Sequence, residues 1–366
     1  MESVEIRTKV ATWLAVLAAC GLAAAPASAE RTPPAANDAR SEGARWLVAE
    51  QNADGGWGAG SWGNSSGGAS DIATTSLAVL ALLRDANGKP LHAAAVQRGV
   101  DFVLQSVESS PQEGPRLQGP EGTQPQHKLG RNVDTHFAAL MLGKVSGDAR
   151  VEGQSRIGRA YDTVLTKVVA AQQADGSFDG DGWAPVLSTS VAARSLYDAK
   201  LKGKQIAPEA LARSDAYQRK LVDKDTGALD SSAGAGVDLY AAASSLMSNS
   251  DAAKRSSGAD RERAQEAARA TADTVRGRRD ALIAGFGSVG GEEMLSYMMI
   301  SDTLAEQGGD DWKGWQRKIA SQLVATQNAD GSWSGHHCIT STTFVTAAAI
   351  MTLGAEDAVA GQVASR

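Results

Sequence analysis

A seven-residue segment that occurs three times constrains this chain more than any other feature. It reads Gln51-Asn52-Ala53-Asp54-Gly55-Gly56-Trp57, then Gln172-Gln173-Ala174-Asp175-Gly176-Ser177-Phe178, then Gln327-Asn328-Ala329-Asp330-Gly331-Ser332-Trp333. Each copy follows a stretch of helical period and precedes an apolar one rich in Ala and Thr. Self-similarity of this kind marks a repeat fold, whose units bury their apolar faces against one another. Asp-Gly ends a helix, because Gly tolerates the left-handed cap and Asp bonds its own backbone. The aromatic residue two positions on then folds back onto the helix just ended, and the Gln reaches backbone groups at neighbouring helix ends. Gln51, Asp54 and Trp57, with their counterparts Gln172, Asp175, Phe178 and Gln327, Asp330, Trp333, are read as structural turn residues.

Weaker copies fill the gaps. Val222 to Asp230 falls where a fourth turn is due, and it is a partial calcium-loop look-alike that lacks the later glutamate. A glycine-rich turn spans Gly285 to Gly291, and the polar stretch Ser109 to Arg131 supplies the last. The count gives six helical hairpins, with inner helices starting near Asp71, Asp134, Ser188, Asp238, Glu292 and Thr340. Outer helices are expected near 39–51, 91–107, 154–173, 207–222, 260–283 and 311–327. The expected fold class is all-α: a single α/α toroid, six hairpins in two concentric rings, over residues 41–357. A linker is expected over 30–40 and a tail over 358–366.

The Q-x-x-D-G-x-W segments resemble the QW repeats of squalene cyclases and the related repeats of prenyltransferase β-subunits, over roughly residues 40 to 355. That resemblance implies the toroid and a central cavity that takes an apolar, isoprenoid ligand. The cyclases use a D-x-D-D acid and aromatic cavity walls. No D-x-D-D occurs here, the nearest acidic pairs being Asp179-Gly180-Asp181 and Glu292-Glu293, and the chain has only 5 Phe, 5 Tyr and 8 Trp. The β-subunits hold zinc with Asp, Cys and His. This chain offers those ligand types in Asp134-Thr135-His136 and His336-His337-Cys338, in a different order and spacing.

The first residues read as an export signal. Arg7 and Lys9 precede an apolar run, Val10 to Ala25, followed by Pro26 and the triplet Ala27-Ser28-Ala29. That run is shorter than the roughly 20 residues of a membrane span, and the pattern is that of a secretory signal cut after Ala29. Leu17-Ala18-Ala19-Cys20 also resembles a lipobox, which would leave residues 1–19 as the signal and Cys20 as a lipid anchor. Both readings stand, and both give an exported protein that is secreted, periplasmic or anchored to the cell envelope. With Cys20 and Cys338 the only cysteines, an internal disulfide in the mature chain is excluded. The net charge of −6 argues against a nucleic-acid partner.

The candidate chemistry sits at inner-helix starts. Cys338, flanked by His336 and His337, is placed to be a thiolate at a helix N-terminus or a zinc ligand. Asp134 and His136 join it as catalytic candidates, and His136 as a metal ligand. Asp71, Asp238, Glu292 and Glu293, with Tyr240 and Tyr297, are expected to line the cavity, although capping alone explains acids at helix N-termini. Three functions follow: a cavity for an apolar small molecule, a non-catalytic module binding an envelope component, or a glycan-active enzyme using inward carboxylates.

Overall fold

The computed structural model describes residues 34–60, 68–178, 181–223, 226–285 and 288–357. The export signal, its cleavage site and Cys20 lie outside the described residues, as do residues 358–366. The described chain is all-helical, with β-structure limited to two isolated bridges, Trp57 with Asp71 and Val222 with Leu229. In chain order the helices are α1 (Pro34–Ala49), α2 (Ile72–Ala86), α3 (Ala93–Glu108), α4 (Gln124–Leu129), α5 (Val133–Val145), α6 (Gln154–Ala171) and α7 (Pro185–Leu201). They continue as α8 (Pro208–Gln218), α9 (Asp238–Arg255), α10 (Gly258–Ala284), α11 (Gly291–Gln307), α12 (Gly309–Thr326) and α13 (Thr342–Leu353). No described helix is long and apolar enough to cross a membrane.

Two kinds of helix alternate. α3 and α6 bury one stripe, Val96-Val100-Val103-Leu104-Val107 in α3 and Ile157-Tyr161-Val164-Leu165-Val168 in α6, the spacing of an amphipathic helix with one wet face. α2, α5, α7, α9, α11 and α13 are covered nearly all round. Every residue of α13 is buried, and α2 is buried apart from Arg84. Small side chains help make this possible: α2, α9 and α13 are rich in Ala, Ser and Thr, which let backbones approach closely. Each covered helix packs on two others of its kind: α2 on α5 and α13, α7 on α5 and α9, and α11 on α9 and α13. Phe137 of α5 meets Phe344 of α13 edge to face, centroids 5.9 Å apart.

The three strong repeats do the same thing each time. Gln51 Nε2 donates to Gly55 O at 2.7 Å, closing its own turn, and to Ala95 O at 2.9 Å at the start of α3. Gln172 joins Gly176 O to Ala210 O of α8, and Gln327 joins Gly331 O to Ala39 O of α1, so the last copy reaches the first helix. Asp54, Asp175 and Asp330 each accept from the backbone N–H two residues on, at 3.0 Å. The Trp57 and Trp333 indoles donate to Leu47 O and Leu323 O of the helix just ended, both at 2.8 Å. The backbone N–H groups of Trp57, Phe178 and Trp333 donate to Thr75, Thr189 and Thr346 of the following covered helix. Gly55, Gly176 and Gly331 have φ near +90° and lie against the backbones of α3, α8 and α1, at Arg98, Arg213 and Glu42. A side chain there would meet both left-handed strain and a clash.

Two expectations differ from the structure. The linker expected over 30–40 is helical from Pro34 onward, because Pro starts a helix well and because Ala36, Ala39 and Arg40 are buried. Arg40 pairs with Asp85 and Asp357. The Ser109–Arg131 stretch holds its own helix, α4, rather than a simple turn. At the calcium look-alike, Asp223 caps its own turn by accepting from Thr226 N and Oγ1, both at 2.8 Å; residues 224 and 225 lie outside the described residues.

Candidate functional site

The buried carboxyls gather at the N-terminal ends of the covered helices. Asp71 is the N-cap of α2: Oδ1 accepts from Thr74 N and Oδ2 from Ala59 N, both at 2.8 Å. Asp134, in the first turn of α5, accepts from Ala73 N at 3.0 Å and from Gln126 Nε2 at 2.5 Å. Burial, with Asp134 as a second negative group, pushes Asp71 up to about 7. Burial raises Asp134 as well, in spite of Gln126, Ala73 and the charge of Arg116. Both carboxyls cap backbone N–H groups at the start of α2, and burial favours the protonated form of each.

A second group lies at the start of α11. Glu293 closes a capping box by accepting from Gly290 N at 2.8 Å, and its other oxygen accepts from the Tyr240 hydroxyl. Burial first, then the two glutamates, raise the Tyr240 pKa, so its phenol stays a donor. Glu292 is fully buried; Oε2 accepts from Ile339 N at 3.0 Å, while Oε1 has no hydrogen-bond partner of ordinary geometry. Burial, and then the charge of Glu293, push Glu292 up to about 7 against the pull of Ile339 N and Lys128.

Cys338 is half-buried beside this carboxyl, on a left-handed backbone (φ +57°) rare for a non-glycine residue. It lies four residues before α13, not on a helix N-terminus. Burial and then Glu292 push the thiol up to about 11. Burial and the neighbouring Glu292 thus favour the protonated thiol, opposite in direction to the activation expected of a thiolate at a helix N-terminus.

The segment Ser109–Arg131 ties these groups together. Thr123 and Gln126 cap α4 reciprocally. Gln124 Oε1 accepts from Thr340 N at 2.7 Å, and Nε2 donates to Ala59 O at 3.3 Å. Gln126 holds Asp134, and Lys128 O accepts from Ala184 N at 2.7 Å. Short as it is, α4 thus bonds to the entrances of α2, α5, α7 and α13. Lys167 and Thr135 pin the preceding loop through the carbonyls of Pro111, Gly114 and Pro115.

Other expected site residues are elsewhere. His136 is fully buried in α5, its Nδ1 2.9 Å from Ser188 Oγ and its ring edge-on to Phe178. Burial lowers it to about 3, so it stays neutral. His337 faces Ser288 O at 3.2 Å and Glu293 at 3.8 Å, and His336 is exposed. The zinc set His136, His336, His337 and Cys338 is not assembled, and among the described residues no group of three or more His, Cys, Asp or Glu is arranged to hold a metal ion. Asp238 is half-exposed and pairs with Arg278 of α10 at 2.5 Å. Tyr297 donates to Ile283 O at 2.8 Å and packs on Trp315. Both face the amphipathic helices rather than an interior, because a helix start does not fix which way its first turn points. Gln124, Gln126 and Lys128 were missed; Thr123-x-x-Gln126 with Pro125 carried a readable capping signal. A comparison with protein-family models and with curated proteins finds no match.

Proposed function

We propose that the chain is a single α/α toroid that works outside the cytoplasm as a non-catalytic binding or scaffold module, meeting its partner at its surface. The order of helix contacts supports the ring: α2, α5, α7, α9, α11 and α13 each touch the next, and α13 touches α2. The Gln327 bond to α1 supports its closure from the outside. The observation that carries the functional reading is the covering of these six helices. A cavity for an isoprenoid would leave the residues facing it accessible, yet all of α13 and nearly all of α2 and α9 are buried. The Phe137–Phe344 contact joins two helices that are not neighbours in that order. The basic, apolar and Ala27-Ser28-Ala29 sequence supports export.

Incubation with farnesol followed by native mass spectrometry tests this reading. The chain is expected alone. A one-to-one farnesol complex would overturn the surface reading in favour of the cavity that the cyclase resemblance implies.

A further inference from the structure

Among the described residues, one large aromatic ring stands mostly in solvent. Trp183 is 57% exposed, yet its loop is fixed at three points. Ala184 N donates to Lys128 O at 2.7 Å. Gly182 packs so closely on α4 that a Cβ there would lie 2.5 Å from Gly130 N. Asp181 accepts from Arg131 Nε at 2.5 Å and from Arg131 N at 3.3 Å. A ring held out on so fixed a backbone is presented. Lys128 Nζ stands 5.0 Å from the ring centroid and covers one face, leaving the other to a ligand.

We propose that Trp183, Lys128, Asp181 and Arg131 form a sugar-binding site that takes a pyranose ring of a glycan. The proposal rests on the binding-module reading above and names its ligand class. A pyranose offers a flat C–H face for an aromatic ring and a rim of hydroxyls that both donate and accept. Trp183 supplies the platform, and the Asp181–Arg131 pair supplies an acceptor and a fork of donors side by side. Competing ligands fit less well. A cationic ligand meets Lys128, and a nucleic acid meets a chain of net charge −6. A protein partner needs a contiguous apolar patch, and among the described residues the other exposed large apolar ones, Leu91, Leu201 and Val324, are on separate elements.

The test is calorimetric titration of the full chain with chitotetraose and with soluble peptidoglycan fragments, beside Trp183→Ala, Trp183→Phe and farnesol. Wild type is expected to bind a glycan. Trp183→Ala should lose about tenfold or more in affinity, the worth of one stacked aromatic ring, and Trp183→Phe should keep part of it. Because Trp183 is exposed, both variants should melt with the wild type. Equal glycan binding by Trp183→Ala, or no binding of either glycan by the wild type, would overturn the sugar site while leaving the surface-module reading intact. Farnesol uptake would instead overturn that reading itself.

Discussion

At the N-terminal ends of α2, α5 and α11, the carboxyls of Asp71, Asp134 and Glu292 are buried with no ion pair within 4 Å among the described residues. At the C-terminal ends of α7, α9 and α11, Arg194 holds Asp251 and Glu306, both at 2.7 Å, and Lys254 adds a second contact to Glu306. Arg84 of α2 likewise grips Asp302 of α11 at 2.6 Å. The difference follows from the helix dipole. N-termini present free N–H groups, so an acid is satisfied there by backbone donors such as Thr74 N and Ala73 N. C-termini present carbonyls and repel acids, so acids there need cations. Burial acts first on Glu306, pushing it up, but Arg194 and Lys254 outweigh it and hold the carboxyl below its usual range. The lesson is that one helix set can carry backbone-capped acids with raised pKa values at one end and ion pairs at the other.

Removing the cation should have the largest effect. Arg194→Ala leaves Asp251, Glu306 and Asp198 facing one another, and Asp198 is already pushed to about 6, by burial and then by its acidic neighbours, against the pull of Arg194. The expected loss in urea unfolding is about 3–5 kcal/mol. A loss under about 1 kcal/mol would mean that this end is as self-sufficient as the other.

The second contrast is in pH. Asp71 and Glu292 have folded pKa values raised to about 7. Each favours the folded state at low pH, and that benefit is lost between about pH 4 and about pH 7 at ~1.4 kcal/mol per unit per group. Glu306 and Asp85 are lowered, so their contribution is present above the unfolded pKa and lost as pH falls. The double variant Asp71→Asn, Glu292→Gln should therefore gain stability relative to wild type as pH rises through this window. Parallel stability curves would remove the distinction between the ends.

Smaller effects sharpen the account of α4. Gln124→Ala strands Thr340 N and Ala59 O, and should cost about 1–3 kcal/mol. Asp238→Ala breaks only the half-exposed pair with Arg278, so its melting point should stay within the shift of about 0–1 kcal/mol typical of surface pairs.

Much of the helix layout was legible. The expected start at Asp71 is one residue before α2, and that at Asp238 coincides with α9. The apolar Ala/Thr runs and the three Asp-Gly turns carried that information locally. The site was less legible, because its key contacts join residues far apart in sequence, such as Gln124 with Thr340 and Tyr240 with Glu293. Glu292 was named from its place at a helix start, and the same reasoning misplaced Asp238. Rotation about the helix axis decides between them, and a single chain of mixed polar and small residues leaves that rotation unspecified. Trp183 was not singled out, because an aromatic residue outside a repeat turn reads as core until its exposure is known.

The most direct test of the two-ended account is infrared spectroscopy of the carboxyl C=O stretch, comparing wild type with Asp71→Asn and Glu292→Gln. Wild type near pH 6 should show a protonated-carboxyl band that fades above about pH 8 and is reduced in each variant. A wild-type spectrum with fully ionised carboxylates near pH 6 would contradict it.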